Sequence, residues 1–233
     1  MKNSISKHKA FVKEKFDRLV ARYDLVNSLL SFYQDSLWRK RVVYHLKSVK
    51  GPILDLCCGP YTLSLKLLKS QKNPLFALDL SFEMLHYGKI KISNYYHRIY
   101  PLRGDGEKLP FKEESMEAIT IAFGFRNLPN RREALEEFYR VLKKGGRLLI
   151  LEFSMPKNFL FKTVYLFYLR YYVPFLGGIL TGDKEAYDYL AKSIQEFPPQ
   201  EEVDKLLCQV GFQKIKIENL TFGVVSLYHY IKP

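Results

Sequence analysis

A chain of 233 residues with 47% apolar side chains is long enough for one large domain or two small ones and can bury a real core. Its 37 lysines and arginines against 24 acidic residues leave a net charge of +13, which favours anionic partners such as nucleic acid, anionic lipid or an acidic cofactor, although most of these charges are scattered as in a soluble basic enzyme. Three cysteines, two of them adjacent, exclude a disulfide framework and a CxxC metal knuckle and suit a reducing compartment; Met1 to Ala10 is polar, unlike a secretory signal.

Helical spacing opens the chain, from about Ala10 to Leu46, with Phe16, Val20, Tyr23 and Asn27 on one side. The first strand is expected at Ile53 to Leu56, followed by a helix through Leu63, Leu65, Leu67 and Leu68. A second strand, Leu75 to Leu80, is nearly all apolar and so suits a sheet buried on both faces; its helix starts at the N-cap Ser81 and carries Met84, Leu85 and Ile90. A third strand around Ile99 to Arg103 leads to Gly104-Asp105-Gly106-Glu107. Ala118 to Phe123 then reads as strand four and Arg131 to Leu142 as its helix, with Lys143-Lys144-Gly145-Gly146 as the helix C-terminus and Arg147 to Phe153 as strand five. Strands alternating with helices over short loops predict a doubly wound α/β sheet.

The character changes after Pro156, where residues 159 to 180 are crowded with aromatic rings. Lys162, Arg170 and Pro174 interrupt this stretch, whereas a membrane-spanning helix needs about 20 largely uncharged residues, so it reads as a helical insertion. A helix at Gln200 to Val210 and two β runs, Phe212 to Leu220 and Val224 to Ile231, close the chain; with no helix between them these two strands should pair antiparallel. The expected organisation is a single domain: a helical cap (1–48), a cofactor-binding core (49–156), an aromatic helical lid (157–198), and a C-terminal helix with a β-hairpin (199–233).

The first strand ends in Asp55-Leu56-Cys57-Cys58-Gly59, and the second ends in Asp79. An apolar run, a small-residue turn opening a helix, and a second run ending in a carboxylate make the arrangement by which a βαβ unit holds a nucleoside, with the carboxylate on the ribose hydroxyls. Only Gly59 remains of the usual several glycines, and it would let the backbone approach a ligand. Asp105-Gly106 is open to two readings, a contact with a base edge or an ordinary turn.

Further blocks carry a resemblance. Phe16-Asp17 with Tyr23-Asp24-Leu25-Val26-Asn27, then Leu109-Pro110-Phe111, Phe123-Gly124-Phe125-Arg126-Asn127, Arg140-Val141-Leu142-Lys143, Leu151-Glu152-Phe153-Ser154, and Gly182-Asp183 with Ala186-Tyr187, Tyr189-Leu190 and Ser193-Ile194, are similar to the ubiquinone/menaquinone biosynthesis C-methyltransferase family. The match runs from the N-terminal helix to Lys232-Pro233. The resemblance implies a class I S-adenosylmethionine-dependent methyltransferase fold: a Rossmann-like, doubly wound sheet of seven strands with the last antiparallel, plus the cap and lid. It also implies S-adenosylmethionine as methyl donor and a polyprenylated quinol as acceptor.

On that resemblance, Asp79 and Leu80 meet the ribose, Asp105 and Gly106 the adenine edge, and Ala122 the cofactor from strand four, while Asp55 reaches the amino end of the methionine moiety or caps the turn. The family usually shows Gly-Thr-Gly-Asp where this chain has Gly59-Pro60-Tyr61-Thr62. Pro60 lacks a backbone donor and Tyr61 brings a ring, so the hold on the methionine carboxylate is expected to differ, with the Tyr61 hydroxyl as one replacement. Arg126 ends strand four, where ligands of open α/β sheets bind, and no acidic residue neighbours it in sequence. It is expected to hold the ring oxyanion, directly or through a water, with Asn127, Tyr165 and Tyr187 also at the acceptor. Tyr23 and Asn27, one helical turn apart, are expected to reach the ring oxygens; core packing is the other reading of Tyr23. The five histidines stand in no catalytic pattern, which a methyl transfer driven by alignment tolerates.

The aromatic insertion reads as a lid that also guides an isoprenoid tail, so a cytoplasmic enzyme in peripheral contact with the anionic inner face of the cell membrane is expected, without nucleic acid. A homodimer is compatible with the sequence. The menaquinone pathway is preferred to the ubiquinone one, because the chain is compact and shows no organelle-targeting extension. Three other readings remain: a same-fold methyltransferase acting on another small acceptor, a nucleic-acid-binding module motivated by the charge and the aromatic rings, and a weakly active or non-catalytic homologue with the altered Gly59-Pro60-Tyr61 turn.

Overall fold

A computed structural model describes residues 2–233, without the side chains of residues 2–6, Phe16, Leu19, Ala21 and Tyr23. Three helices precede the sheet: α1 (Lys2–Leu19), α2 (Tyr23–Leu30) and α3 (Gln34–His45). The chain then alternates through β1 (Ile53–Leu56), α4 (Thr62–Ser70), β2 (Leu75–Asp79), α5 (Phe82–Gly88), β3 (Ile99–Arg103), β4 (Met116–Ala122), α6 (Arg131–Val141) and β5 (Leu142–Phe153). The aromatic stretch folds as α7 (Phe159–Phe167), a π-helical turn (Tyr168–Tyr172) and α8 (Val173–Thr181), and α9 (Lys184–Gln195) folds back along α8. Helix α10 (Gln200–Val210), β6 (Gln213–Leu220) and β7 (Val225–Ile231) complete the chain.

The seven strands form one sheet in the order β3-β2-β1-β4-β5-β7-β6. The first five are parallel, and β7 inserts antiparallel between β5 and β6, pairing Leu151 with Leu227 and Leu220 with Val225. All four β1 residues are buried, as a strand covered by helices on both faces requires. On one face Leu54, Ile119 and Ile150 pack with Leu135 and Phe138 of α6 and Leu207 of α10. On the other, Ile53, Ala77 and Leu149 pack with Trp38 and Val42 of α3 and Leu63 and Leu67 of α4. A third cluster joins Val26 and Leu30 of α2 to Tyr165, Leu169, Val173, Tyr187 and Ile194 of the insertion, so cap and insertion close over the sheet together.

The seven strands of one doubly wound sheet and the antiparallel last strand agree with expectation, and Ser81 caps α5 by accepting the Met84 N–H at 3.0 Å. Two local expectations are corrected. Residues 143–146 do not end a helix: α6 stops at Val141, and Leu142 already pairs with Met116, so the four residues form an irregularity inside β5. Gly145 sits there at φ 76° and donates its N–H to the Lys232 carbonyl at 2.7 Å, an alignment set by the last strand and invisible locally. Ile90 follows α5 rather than lying in it and is 80% exposed. No helix among the described residues is long and apolar enough to cross a membrane.

Candidate active site

Two cavities open at the C-terminal ends of the parallel strands and share the Phe123 side chain as a wall. The first, of about 100 Å³, is lined by Gly59, Asp79, Leu80, Asp105, Gly106 and Ala122, together with Cys57 and Asn127. The Asp79 carboxylate accepts the Gly59 N–H at 2.8 Å and the Ser81 N–H at 2.9 Å, so it is locked at the strand end and still has lone pairs for two hydroxyls. Burial pushes its pKa up, against those two backbone donors. Gly59 stands at φ 53°, and a Cβ there would meet no protein atom within 4 Å, so the space beside it is open to a ligand.

Helix α1 forms the outer wall of this cavity through Lys9, Val12 and Lys13. Lys9 reaches Asp105 at 2.6 Å and also pairs with Glu107, while Asp17 accepts from Ser81 Oγ and pairs with Lys13 at 2.5 Å. Apart from Lys13 with Asp17, one turn apart on α1, these pairs join residues far apart in sequence and are not legible locally.

Three residues expected at the cofactor lie elsewhere. Asp55 is buried in the sheet, where its carboxylate accepts from Ser64 Oγ at 2.5 Å and Thr120 Oγ1 at 3.0 Å; it ties α4 and β4 to β1 and does not line the cavity. Loss of hydration pushes its pKa up to about 6. Tyr61 is 1% exposed and turns into the core, at φ 64°, rather than toward the cavity, and Gly88 is required beside it because a Cβ there would come within 2.6 Å of the ring. Pro60 is likewise buried and does not line the cavity. Three of the loop's backbone donors are engaged within the protein: Cys58 N–H goes to the Leu78 carbonyl, Gly59 N–H to Asp79 and Tyr61 N–H to the Cys58 carbonyl.

The second cavity, of about 110 Å³, lies between the cap and the insertion. Its sheet-side wall is an aromatic group: Trp38, Phe123 and Phe153, with Phe123 and Phe153 centroids 4.7 Å apart. Arg126, Tyr165, Tyr187 and Asn27 line it, as does Tyr189, whose hydroxyl donates to Asn127 Oδ1 at 3.1 Å. Asn127, on the cofactor-cavity side, and Tyr189 on the other therefore bridge the two spaces. The Tyr23 side chain lies outside the described residues.

Arg126 does have an acidic partner, contrary to the sequence-based expectation. Its Nη1 meets Oε1 of Glu152 at 2.9 Å, its backbone N–H donates to Oε2 at 3.0 Å, and Glu152 is wholly buried at the end of β5. Nη1 also donates to the Phe123 carbonyl at 2.5 Å and Nε to Ser193 Oγ at 3.3 Å, while the guanidinium stacks over Phe153 at 5.4 Å. Nη2 has no hydrogen-bond partner among the described residues. The signal for Glu152 was a lone carboxylate inside the apolar run Leu148 to Phe153, which a buried position tolerates only beside a cation. Tyr165 is the other open group: its hydroxyl is buried with no hydrogen-bond partner among the described residues, and burial pushes its pKa up.

A strand order of 3-2-1-4-5-7-6, a carboxylate fixed at the end of β2 and a ligand space along the ends of β1, β2 and β4 define a class I S-adenosylmethionine-dependent methyltransferase. Solved structures agree at the level of fold: an S-adenosylmethionine-dependent methyltransferase from Thermotoga maritima, described as a possible histamine N-methyltransferase, superposes with a TM-score of 0.69 at 20% identity over 95% of this chain and 100% of its own. One from Aquifex aeolicus gives 0.58 at 18% identity over 84% and 89%. The chain belongs to the ubiE/COQ5 methyltransferase family, whose model matches residues 2–232. It is 39% identical to the ubiquinone/menaquinone biosynthesis C-methyltransferase UbiE of Geotalea daltonii, over 93% of this chain and 94% of that one. It is 37% identical to the demethylmenaquinone methyltransferase of Staphylococcus haemolyticus, over 91% and 90%.

Proposed function

We propose that this enzyme methylates a ring carbon of a polyprenylated quinol with S-adenosylmethionine as donor, on the demethylmenaquinol branch of quinone biosynthesis. The observation that carries the reading is Arg126: a guanidinium fixed by Glu152, with Nη2 open, in an aromatic cavity one residue's width from the cofactor space. The cofactor supplies a methyl group on a sulfonium, an electrophile that a neutral phenol ring attacks slowly and a phenolate attacks fast.

Asp79 and Leu80 would hold the ribose and Asp105 with Gly106 the adenine edge, all of them lining the cavity that shares Phe123 with the acceptor space. Arg126 holds the ring oxygen and stabilises the phenolate formed as its proton leaves to water. That charge is drawn into the ring as the carbon takes the methyl group and the thioether departs, and loss of the ring hydrogen to water restores the aromatic quinol. The Tyr165 hydroxyl and Asn27, which line this cavity, are assigned to ring oxygens, and Tyr23 is assigned beside Asn27 on the spacing of α2 alone. Asn127, held by Tyr189, keeps the two spaces in register, which is where a transfer driven by alignment gains most of its rate.

The isoprenoid tail leaves over the outer face of the insertion, where Phe159 is 83%, Phe167 66% and Phe175 65% exposed. With Lys162 and Arg170 among these rings, that face suits peripheral contact with an anionic membrane and a place at the inner face of the cell membrane. The test is turnover of short-tailed demethylmenaquinol beside the ubiquinone-pathway benzoquinol. Faster turnover of the naphthoquinol supports the branch assigned here, the reverse preference moves the enzyme to the other branch, and turnover of neither refutes the quinol reading.

A further inference from the structure

The acceptor cavity contains a second buried ion pair that the reaction as described above does not use. Asp35 and Arg39, one turn apart on α3, both line the cavity and are 7% and 6% exposed. Arg39 Nη1 meets Asp35 Oδ2 at 2.6 Å, and Ser31 Oγ donates to Oδ1 at 3.3 Å. Nε and Nη2 of Arg39 have no hydrogen-bond partner among the described residues. The pair repeats the arrangement at Arg126: Arg39 lies 5.0 Å over the Phe123 ring and Arg126 5.4 Å over the adjacent Phe153 ring. Lys15, the remaining charged group lining the cavity, is itself buried and pairs at 2.5 Å with Glu185, whose side chain is 70% exposed, so its ammonium is already held from the solvent side.

A buried ion pair is costly to desolvate and adds little stability over apolar residues of the same size. Two such pairs on one aromatic wall match an acceptor with two polar ends. A quinol has two hydroxyls on opposite ring carbons, so a ring held at one end by Arg126 presents its other oxygen away from that residue. We infer that Asp35 and Arg39 form the second pole of the acceptor cavity and bind the ring oxygen para to the one held by Arg126. The inference rests on the quinol reading and deepens it. Asp35 accepts the hydroxyl proton while Arg39 donates to the same oxygen, which makes the cavity selective for a 1,4-dihydroxy ring over a simple phenol.

Trp38, the single tryptophan, lines this cavity, so its fluorescence reports ring binding without turnover. The probes are a prenylated 1,4-dihydroxynaphthalene and the two monohydroxy rings that each lack one of its oxygens. The wild type should bind each monohydroxy ring about 10- to 100-fold more weakly than the diol, the loss expected when a charged partner is left without its hydrogen bond. In the charge-neutral double variant Asp35→Leu/Arg39→Met the deficit should vanish for one isomer and persist for the other. An unchanged cofactor affinity shows that this variant is folded, and Asp35→Asn/Arg39→Gln serves the same comparison. Equal wild-type binding of the diol and either isomer, or deficits unchanged in the double variants, overturns the second pole. Binding of none of the three rings removes the quinol reading and the inference with it.

Discussion

Replacing Arg126 by lysine separates its role in the reaction from its role in the fold. A lysine ammonium can keep the contact with Glu152 but loses the planar fork, and with it the bonds to the Phe123 carbonyl and Ser193 and the open Nη2 in the acceptor cavity. The structural loss is one or two partly buried hydrogen bonds, about 1–3 kcal/mol, which a protein of this size survives. The catalytic loss is one preorganised contact to a developing oxyanion, on the order of 10²-fold in turnover. Arg126 does not line the cofactor cavity, so affinity for S-adenosylmethionine should stay within roughly threefold, less than 1 kcal/mol. Arg126→Met is the contrasting case: it strands a wholly buried Glu152 with only backbone donors, and about 3–5 kcal/mol of stability should go with it. Calorimetric cofactor titration and single-turnover rates on the same preparation read the two effects. Wild-type turnover by the lysine variant, or cofactor affinity that falls in step with its rate, would show that the oxyanion role is misassigned.

Asp79→Ala should weaken S-adenosylmethionine by about 1.5–3 kcal/mol or more if the carboxylate holds the ribose as proposed, since it also positions Gly59 and Ser81; unchanged affinity by calorimetry would contradict that place for the ribose. Asp55 is raised to about 6 in the folded chain against about 3.9 unfolded, so protonation favours folding: its stabilising contribution is full below about pH 4 and is lost as pH rises through 6. Asp55→Asn should therefore cost less stability, relative to wild type, at pH 7.5 than at pH 4, as read by denaturant melts at the two values; a larger cost at the higher pH would reverse the assigned cause. Sedimentation with anionic vesicles should carry the protein down and salt should release it, while Phe159→Ser/Phe167→Ser should weaken the binding; equal binding to neutral vesicles at all salt concentrations would remove the electrostatic part.

The sheet was legible because its strands are short, apolar and separated by helical spacing, and because Ser81 and Asp79 are residue types that act locally, one as a cap and one at a strand end. Gly59, Leu80, Asp105, Gly106 and Ala122 follow strand ends in the sequence, and the structure brings them round one cavity. Asp55 misled because a carboxylate in a strand looks alike whether it faces a ligand or two hydroxyls. Its partners are 9 and 65 residues away. Tyr61 was hidden in another way: a left-handed backbone turns its ring under α5, where only Gly88 leaves room. Lys9 on Asp105 and Asp35 with Arg39 at the acceptor cavity depend on which face of a cap helix meets the sheet. Helical spacing gives the face, but the partner comes from packing between distant segments.

The central claim is that a methyl group moves onto a ring carbon held between the two cavities. The most direct measurement is a reaction with methyl-¹³C-labelled S-adenosylmethionine and short-tailed demethylmenaquinol, followed by carbon NMR of the extracted product. A label in the aryl-methyl region, formed by the wild type and nearly absent with Arg126→Lys over the same time, is the predicted result. A label in the aryl-methoxy region would place the transfer on oxygen, and a protein that binds the cofactor but labels neither position would contradict the assignment of the acceptor cavity.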